Sequence, residues 1–208
     1  MGIQLTDLIE GKPLELEDLS GKKVAIDAFN WLYQFLSTIR QIDGTPLKDS
    51  KGRVTSHLSG LFYRTTKLMA SGIKPIYVFD GKAPELKRAT TQQRRDVRSE
   101  AAREWKAALD RGDMIEARKY AQRSSELTSE MIHGSKMLLS ALGVPTLQAP
   151  SEGEALCSLM VSKGDAYAAA TQDYDALLFG CSRVVRNLSI TGKKKRAGRT
   201  VDIVPEMV

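Results

Sequence analysis

Only two cysteines, Cys157 and Cys181, and two histidines, His57 and His133, occur in the 208 residues. Two cysteines exclude a disulfide framework, and neither stands in a zinc-ligand pattern. No apolar run reaches the about 18 residues of a membrane-spanning helix. The opening MGIQLTDLIEGK has no basic stretch leading into an apolar core, so no secretory signal is visible. Internal repeats are also missing. Charged residues make up 27% and hydrophobic ones 42%, which excludes wholesale disorder. These features predict a soluble, intracellular chain without a membrane association. Its length suggests one large domain or one and a fraction.

The net charge of +6 is unevenly placed. Residues 87–123 carry eleven basic and six acidic side chains, a local +5. The tract KKKRAGR at 193–199 adds another +5 with no acid, so the remainder of the chain is at −4. Two basic segments on an acidic body suggest a polyanionic partner and a separate anionic site. Each basic run, taken alone, also fits a solvated helix face or a loop.

Apolar spacing predicts a strand at 24–27 and a helix at 28–41. Turn residues mark a loop at 43–52, a second helix fills 56–71, and PIYVFD at 75–80 reads as a buried strand. Residues 86–142 look helical almost throughout, with one break at Gly112. The first arm, 86–110, has only a thin apolar stripe and is expected to project from the body. Further strands are expected at 143–149, 165–173 and 183–190, with a helix starting at Pro150-Ser151. Strands alternating with helices predict an α/β fold, a mostly parallel twisted sheet flanked by helices.

Three predicted strands end in acid: Asp27, Asp80, and the pair Asp173 and Asp175. Glu152 and Glu154 follow a fourth. In an open α/β sheet the carboxyl ends share the edge where ligands bind. Six carboxylates meeting there would raise one another's pKa values unless cations intervened. An all-oxygen donor set points to Mg²⁺ or Mn²⁺ rather than zinc. Two such ions about 4 Å apart suit phosphodiester hydrolysis. Each acid also has a local explanation. Asp27 and Asp175 fit helix caps, Asp80-Gly81 fits a turn, and Ser151 to Glu154 fits a capping box.

Five stretches carry a family resemblance: KKVAIDAFNWLYQFLSTIRQ (22–41), DGTPLKDSKGRVTSHLSGLFYRT (43–65), GIKPIYVFDGKAPELK (72–87), QAPSEGEA (148–155) and TQDYDALLFG (171–180). In order and spacing they resemble the flap endonucleases, the structure-specific 5′ nucleases of replication and repair, and most of all the archaeal members. The resemblance implies a metal-dependent phosphodiesterase on a PIN-like fold with a protruding helical arch. It implies three portions: an N-terminal nuclease part at 1–85, the arch at 86–135, and an internal nuclease part at 136–208. Asp27, Asp80, Glu152, Glu154, Asp173 and Asp175 match the family's metal-site carboxylates, which hold two Mg²⁺ ions that Mn²⁺ can replace. Lys87 and Arg94 match residues that contact the scissile phosphate region, and both also suit surface ion pairs. Tyr33 matches an aromatic near the reacting nucleotide and equally suits core packing. Arg40, Thr55, Arg64 and Arg98 fall in DNA-contact segments, with Arg98 one helical turn beyond Arg94.

The implied partner is branched DNA with a 5′ flap, and the implied location is the archaeal cytoplasm or nucleoid. Family members continue past the point where VDIVPEMV ends. They carry a further metal-site aspartate, a helix-two-turn-helix element that grips duplex DNA, and a tail that binds the sliding clamp. The sequence is therefore expected to be a truncated or N-terminal portion with reduced activity. Two other functions fit the residues: a related 5′ nuclease with exonuclease or junction specificity, and a DNA-binding module that does not cleave.

Overall fold

A computed structural model describes residues 9–82, 85–189, 193–196 and 199–208. In chain order the elements are β1 (Lys12–Pro13), β2 (Lys23–Asp27), α1 (Ala28–Thr38), α2 (Ser56–Ala70) and β3 (Lys74–Phe79). There follow α3 (Arg88–Asp110), α4 (Met114–Arg123), α5 (Ser129–Ala141), β4 (Thr146–Gln148) and α6 (Gly153–Ser162). The chain then runs through β5 (Ala168–Ala170), α7 (Asp175–Leu178), β6 (Val184–Arg186), β7 (Lys193–Arg196), β8 (Arg199–Asp202) and β9 (Glu206–Met207). Two compact units emerge. One comprises Met1–Trp31, Arg64–Lys82 and Gly143–Val208, the other Leu32–Tyr63 and Ala83–Leu142.

The first unit is built on a seven-stranded sheet in the order β1-β9-β6-β5-β2-β3-β4. Strands β4, β3, β2, β5 and β6 run parallel, while β9 and β1 close one edge antiparallel. Buried on both faces, the central strands read as continuous apolar runs: Val24, Ala25 and Ile26 in β2, and Ala168 to Ala170 in β5. On one face Ala25, Val78 and Ala169 pack with Cys157, Met160 and Val161 of α6. On the other, Trp31 meets Tyr77 edge to face at 5.7 Å, and the Tyr77 hydroxyl bonds the Thr65 hydroxyl at 2.8 Å.

The second unit is helical. Along α3 and α4 the buried positions are alanines, Ala101 and Ala108 against Ala117 and Ala121. The thin apolar stripe is enough for a close helix pair, because small residues let backbones approach. Among the described residues no helix is long and apolar enough to cross a membrane.

Several predicted boundaries move. The helical stretch breaks twice, at Gly112 in a left-handed conformation (φ 74°) and again between Arg123 and Ser129. At the second break Ser124 and Ser125 turn their hydroxyls back onto the Ala121 and Gln122 carbonyls. Thr128 then caps α5 by accepting the Met131 N–H at 3.3 Å. The strand expected at 183–190 stops after Arg186, because Asn187 takes φ 59°. The strand expected at 165–173 is only Ala168–Ala170; past it, the Thr171 hydroxyl accepts the Asp173 N–H and bends the chain. The capping box weighed as a local explanation for Ser151 to Glu154 is not formed. Glu152 is the N-cap residue of α6 without a side-chain cap bond. Part of the basic tract, read as a possible loop, is strand: β7 pairs with β8 in a separate antiparallel hairpin. Its Ala197 and Gly198 lie outside the described residues.

Candidate active site and cationic cavity

The sheet order explains why the acids meet. In sequence β2, β3 and β4 step outward to one side, and β5 and β6 then return to the other side of β2. Such an order places a topological switch between β2 and β5, beside which ligands bind at the strand carboxyl ends. Asp27 ends β2, Asp80 follows β3, Glu152 and Glu154 open α6 after β4, and Asp173 and Asp175 follow β5. The four adjacent strands β4, β3, β2 and β5 therefore each deliver acid to one edge.

Geometry ties these acids to the backbone around them. Asp27, 6% exposed, accepts the Asn30 N–H at 3.1 Å through Oδ1, which caps the start of α1. Asp80 Oδ1 accepts the Gly153 N–H at 2.7 Å, so Asp80 caps α6 from a neighbouring strand. A methyl group on Gly153 would lie 2.8 Å from that oxygen and 3.8 Å from Asp27 Oδ1. Glu154 accepts the Thr171 hydroxyl at 3.1 Å, and Asp173 accepts the Asn30 side-chain amide at 3.2 Å. Asp175 begins α7.

The electrostatics show how closely five of the six are coupled. Burial, followed by the charges of Asp80, Glu154 and Asp173, pushes Asp27 well above the ordinary aspartate range; the Asn30 N–H works the other way. Burial, then Asp173, Asp175 and Asp80, raises Glu154 to about 7, against the opposing hydrogen bond from Thr171. Glu152 is half-buried at the α6 N-terminus. Among the described residues no three His, Cys, Asp or Glu side chains stand as a ready-made metal site. The donor set still fits a hard divalent cation, since it is all oxygen and its mutual repulsion is what a cation relieves. Sequence reading found the six acids but missed Asn30, Thr171 and Gly153, which hold them. For Asn30 the signal was present: Asp27-x-x-Asn30 has the spacing of a cap and its third helical residue.

The remaining candidates are distributed as follows. In the second unit Tyr33, Arg94 and Arg98 line one cavity of about 370 Å³ together with Gln34, Ser37, Gln122, Arg123 and Ser125. The Arg98 guanidinium lies over the Tyr33 ring at 5.5 Å. Gln122, Arg123 and Ser125 were not anticipated as lining residues; of these, Ser125 lies in the second helix break, which was not expected either. Lys87 ends a short 3₁₀ turn, Glu85–Lys87, and its carbonyl accepts the Thr91 hydroxyl at 2.8 Å. Arg40 is held internally: it donates to the Leu36 and Gly44 carbonyls, each at 2.7 Å, and to the Ser125 hydroxyl at 2.8 Å. Thr55 lines a second cavity of about 450 Å³ with His57 and His133. His57 is buried, its Nδ1 has no hydrogen-bond partner among the described residues, and burial lowers its pKa to about 4. Arg64 is 8% exposed in the first unit, where burial lowers its pKa and the charge of Tyr77 opposes that.

Comparison with known proteins defines the class. Residues 1–101 match the XPG N-terminal domain and residues 143–206 match the XPG I-region. The chain belongs to this nuclease family, as a homologue of the archaeal flap endonucleases. It is 60% identical over 210 residues to flap endonuclease 1 of Pyrococcus horikoshii, spanning 100% of this chain and 61% of that protein. The solved flap endonuclease-1 of Methanococcus jannaschii superimposes with a TM-score of 0.73 at 47% identity, over 100% of this chain and 62% of that one. The catalytic core of Rad2, solved with a DNA substrate, gives a TM-score of 0.63 at 34% identity, over 85% of this chain and 47% of that one. The chain thus spans about three fifths of the length of its archaeal relatives.

Proposed function

We propose that this chain provides the nuclease portion of a structure-specific 5′ nuclease, hydrolysing phosphodiester bonds in branched DNA near a 5′ flap. The supporting observation is the coupled acid edge: burial and neighbouring carboxylates raise both Asp27 and Glu154. Asp27, Asp80, Glu152, Glu154, Asp173 and Asp175 would hold two divalent cations, Mg²⁺ or Mn²⁺. When bound, such ions acidify water and stabilise the negative charge that builds on a phosphodiester in hydrolysis. Asn30 and Thr171 orient two of the carboxylates by hydrogen bonds. Residues 1–85 and 136–208 then form a PIN-like nuclease fold and 86–135 a helical arch for the single strand. Lys87 and Arg94 offset charge on the phosphate, Tyr33 and Arg98 contact the nucleotide, and Arg40, Thr55 and Arg64 belong to the wider DNA-contact set. Rad2 was solved with DNA, which supports a DNA substrate for this related chain.

The test is cleavage of a labelled 5′-flap substrate in Mg²⁺ and in EDTA. Metal-dependent cutting near the junction is expected. Asp175→Asn and Glu154→Gln should each lower the rate by about 10²-fold or more while DNA affinity stays within a few-fold. Full activity in both variants overturns the assignment. A DNA-binding role without cleavage is the second reading, favoured by the basic residues concentrated at 87–123 and 193–199. Salt-dependent binding to forked DNA with no metal-dependent cut would establish it.

A further inference from the structure

The acid edge has a cationic counterpart at the opposite end of the sheet. Strands β2 and β3 each begin with a lysine, Lys23 and Lys74, and these two are register partners in the parallel pair. Neighbouring strands lie about 4.8 Å apart and register partners share a face, so two like charges leave the sheet side by side. Both residues are exposed, and among the described residues neither has an acidic partner. Lys22, by contrast, lies over the Tyr167 ring at 5.2 Å. Lys23 stands four residues from Asp27 along β2, about 13 Å, which separates this end from the acid edge.

The two lysines line a cavity of about 430 Å³, within the range of small-molecule sites. Its walls are otherwise apolar: Met69 near the end of α2, Ile73 and Ile76 about the start of β3, and Val144 before β4. Ile73 and Val144 are buried, whereas Met69 is partly exposed. Backbone bonds fix the shape. The Ile73 N–H donates to the Leu68 carbonyl and the Tyr77 N–H to the Pro145 carbonyl, each at 3.0 Å. All of these residues belong to the first unit. Among the described residues no carboxylate and no aromatic ring lines the cavity.

We infer that this cavity binds a small amphiphilic anion, an apolar chain or ring carrying one carboxylate or phosphate group. Lys23 and Lys74 hold the headgroup as charge-assisted donors, and relief of their mutual repulsion favours binding. The apolar portion lies against Ile73, Ile76 and Val144, where each methylene withdrawn from water adds to the affinity. Met69, unbranched and adaptable, closes over it. Nucleic acid is the poorer match, because two lysines track no length of backbone and the walls offer no ring on which a base would stack. The site uses none of the residues of the nuclease reading and stands independently of it.

The experiment is calorimetric titration of the chain with octanoate, octyl phosphate, octanol and inorganic phosphate. Octanoate, octyl phosphate or both should bind once per chain, and which of them binds identifies the headgroup. Octanol and inorganic phosphate each lack one half of the ligand and should bind at least about tenfold more weakly. Lys23→Gln and Lys74→Gln alter exposed positions. Each should weaken binding about fivefold or more, while the ligand-free Tm stays the same or rises because the like-charge pair is gone. Met69→Glu, at the partly exposed rim, should weaken binding similarly by setting a carboxylate against the headgroup. No binding of either anionic probe at millimolar concentration, unchanged affinity in both lysine variants, or octanol binding as tightly as octanoate overturns the site. Inorganic phosphate binding as tightly as octyl phosphate reduces it to an adventitious ion only and also overturns it. Competition between octyl phosphate and 5′-flap DNA in EDTA would assign the lysines to a DNA surface and overturn the proposal, whereas loss of flap cleavage leaves it untouched.

Discussion

At the residue scale, glycine decides how closely the acids approach. Between Glu152 and Glu154, Gly153 presents a bare N–H to Asp80, and its missing side chain leaves room for that carboxylate. Gly153→Ala would put a methyl group 2.8 Å from Asp80 Oδ1, so either the carboxylate or the start of α6 must move. The expected result is a loss of about 1–3 kcal/mol, seen as a fall of several degrees in Tm, with weaker Mg²⁺ binding by calorimetry. Gly134 supplies the control. Among the described residues a methyl group there meets only Leu58, at 3.9 Å, and Gly134→Ala should stabilise α5 by about 0.5–1 kcal/mol. Equal effects of the two substitutions would refute the close-approach argument. The sequence showed the two glutamates but not the role of the glycine between them, which depends on a strand more than seventy residues away.

At the scale of elements, helix caps and loop clips carried the information that periodicity could not. The parallel strands were legible because burial on both faces leaves uninterrupted apolar runs, as in VAI of β2. The three-residue lengths of β4, β5 and β6 were not, since an apolar run does not mark where its ladder ends. The second break in the long helical stretch was encoded in serine and threonine side chains rather than in glycine or proline. Arg40 is a comparable case. Its position suggested a DNA contact, yet its guanidinium bonds Leu36, Gly44 and Ser125 and lies 6.0 Å from the Trp105 ring centre. Trp105 in turn donates to the Asp43 carbonyl at 3.1 Å. Arg40→Met should cost about 1–3 kcal/mol by leaving these acceptors without their donor. Combined with Trp105→Phe, it should be non-additive in chemical denaturation. If Arg40 also contacts a phosphate, as its place in the proposed DNA-contact set requires, the variant will in addition reduce the salt slope of DNA binding by about 1; an unchanged slope removes Arg40 from that set.

At the scale of the whole molecule, the parallel sheet and its acid edge were readable because strand order and strand-end residues appear in the sequence. The division into units was less so, because each is assembled from separated segments. The chain leaves the first unit after Trp31, returns at Arg64, and leaves again between Lys82 and Gly143. The two units should also respond to pH in opposite directions. In the first, Glu154 is raised from 4.5 to about 7, so between those values the folded state binds more protons than the unfolded one. Its stability without metal must then fall as pH rises through that window, with Asp27 contributing in the same direction. In the second, His57 is lowered from 6.5 to about 4, so the unfolded state binds the extra proton and stability falls as pH drops through that range. Each group can change the opening equilibrium by at most about tenfold per pH unit. Hydrogen exchange resolved by segment, corrected for intrinsic rates, separates the two. Protection in α6 should decline from pH 4.5 to 7 and be restored by millimolar Mg²⁺, because an ion that binds only the folded carboxylates stabilises that state. Protection in α5 should decline from pH 6.5 to 4, ignore Mg²⁺, and lose its pH dependence in His57→Gln. If Mg²⁺ protects α5 as strongly as α6, the two units do not open separately; if it protects neither, the acid edge is not where the cation binds.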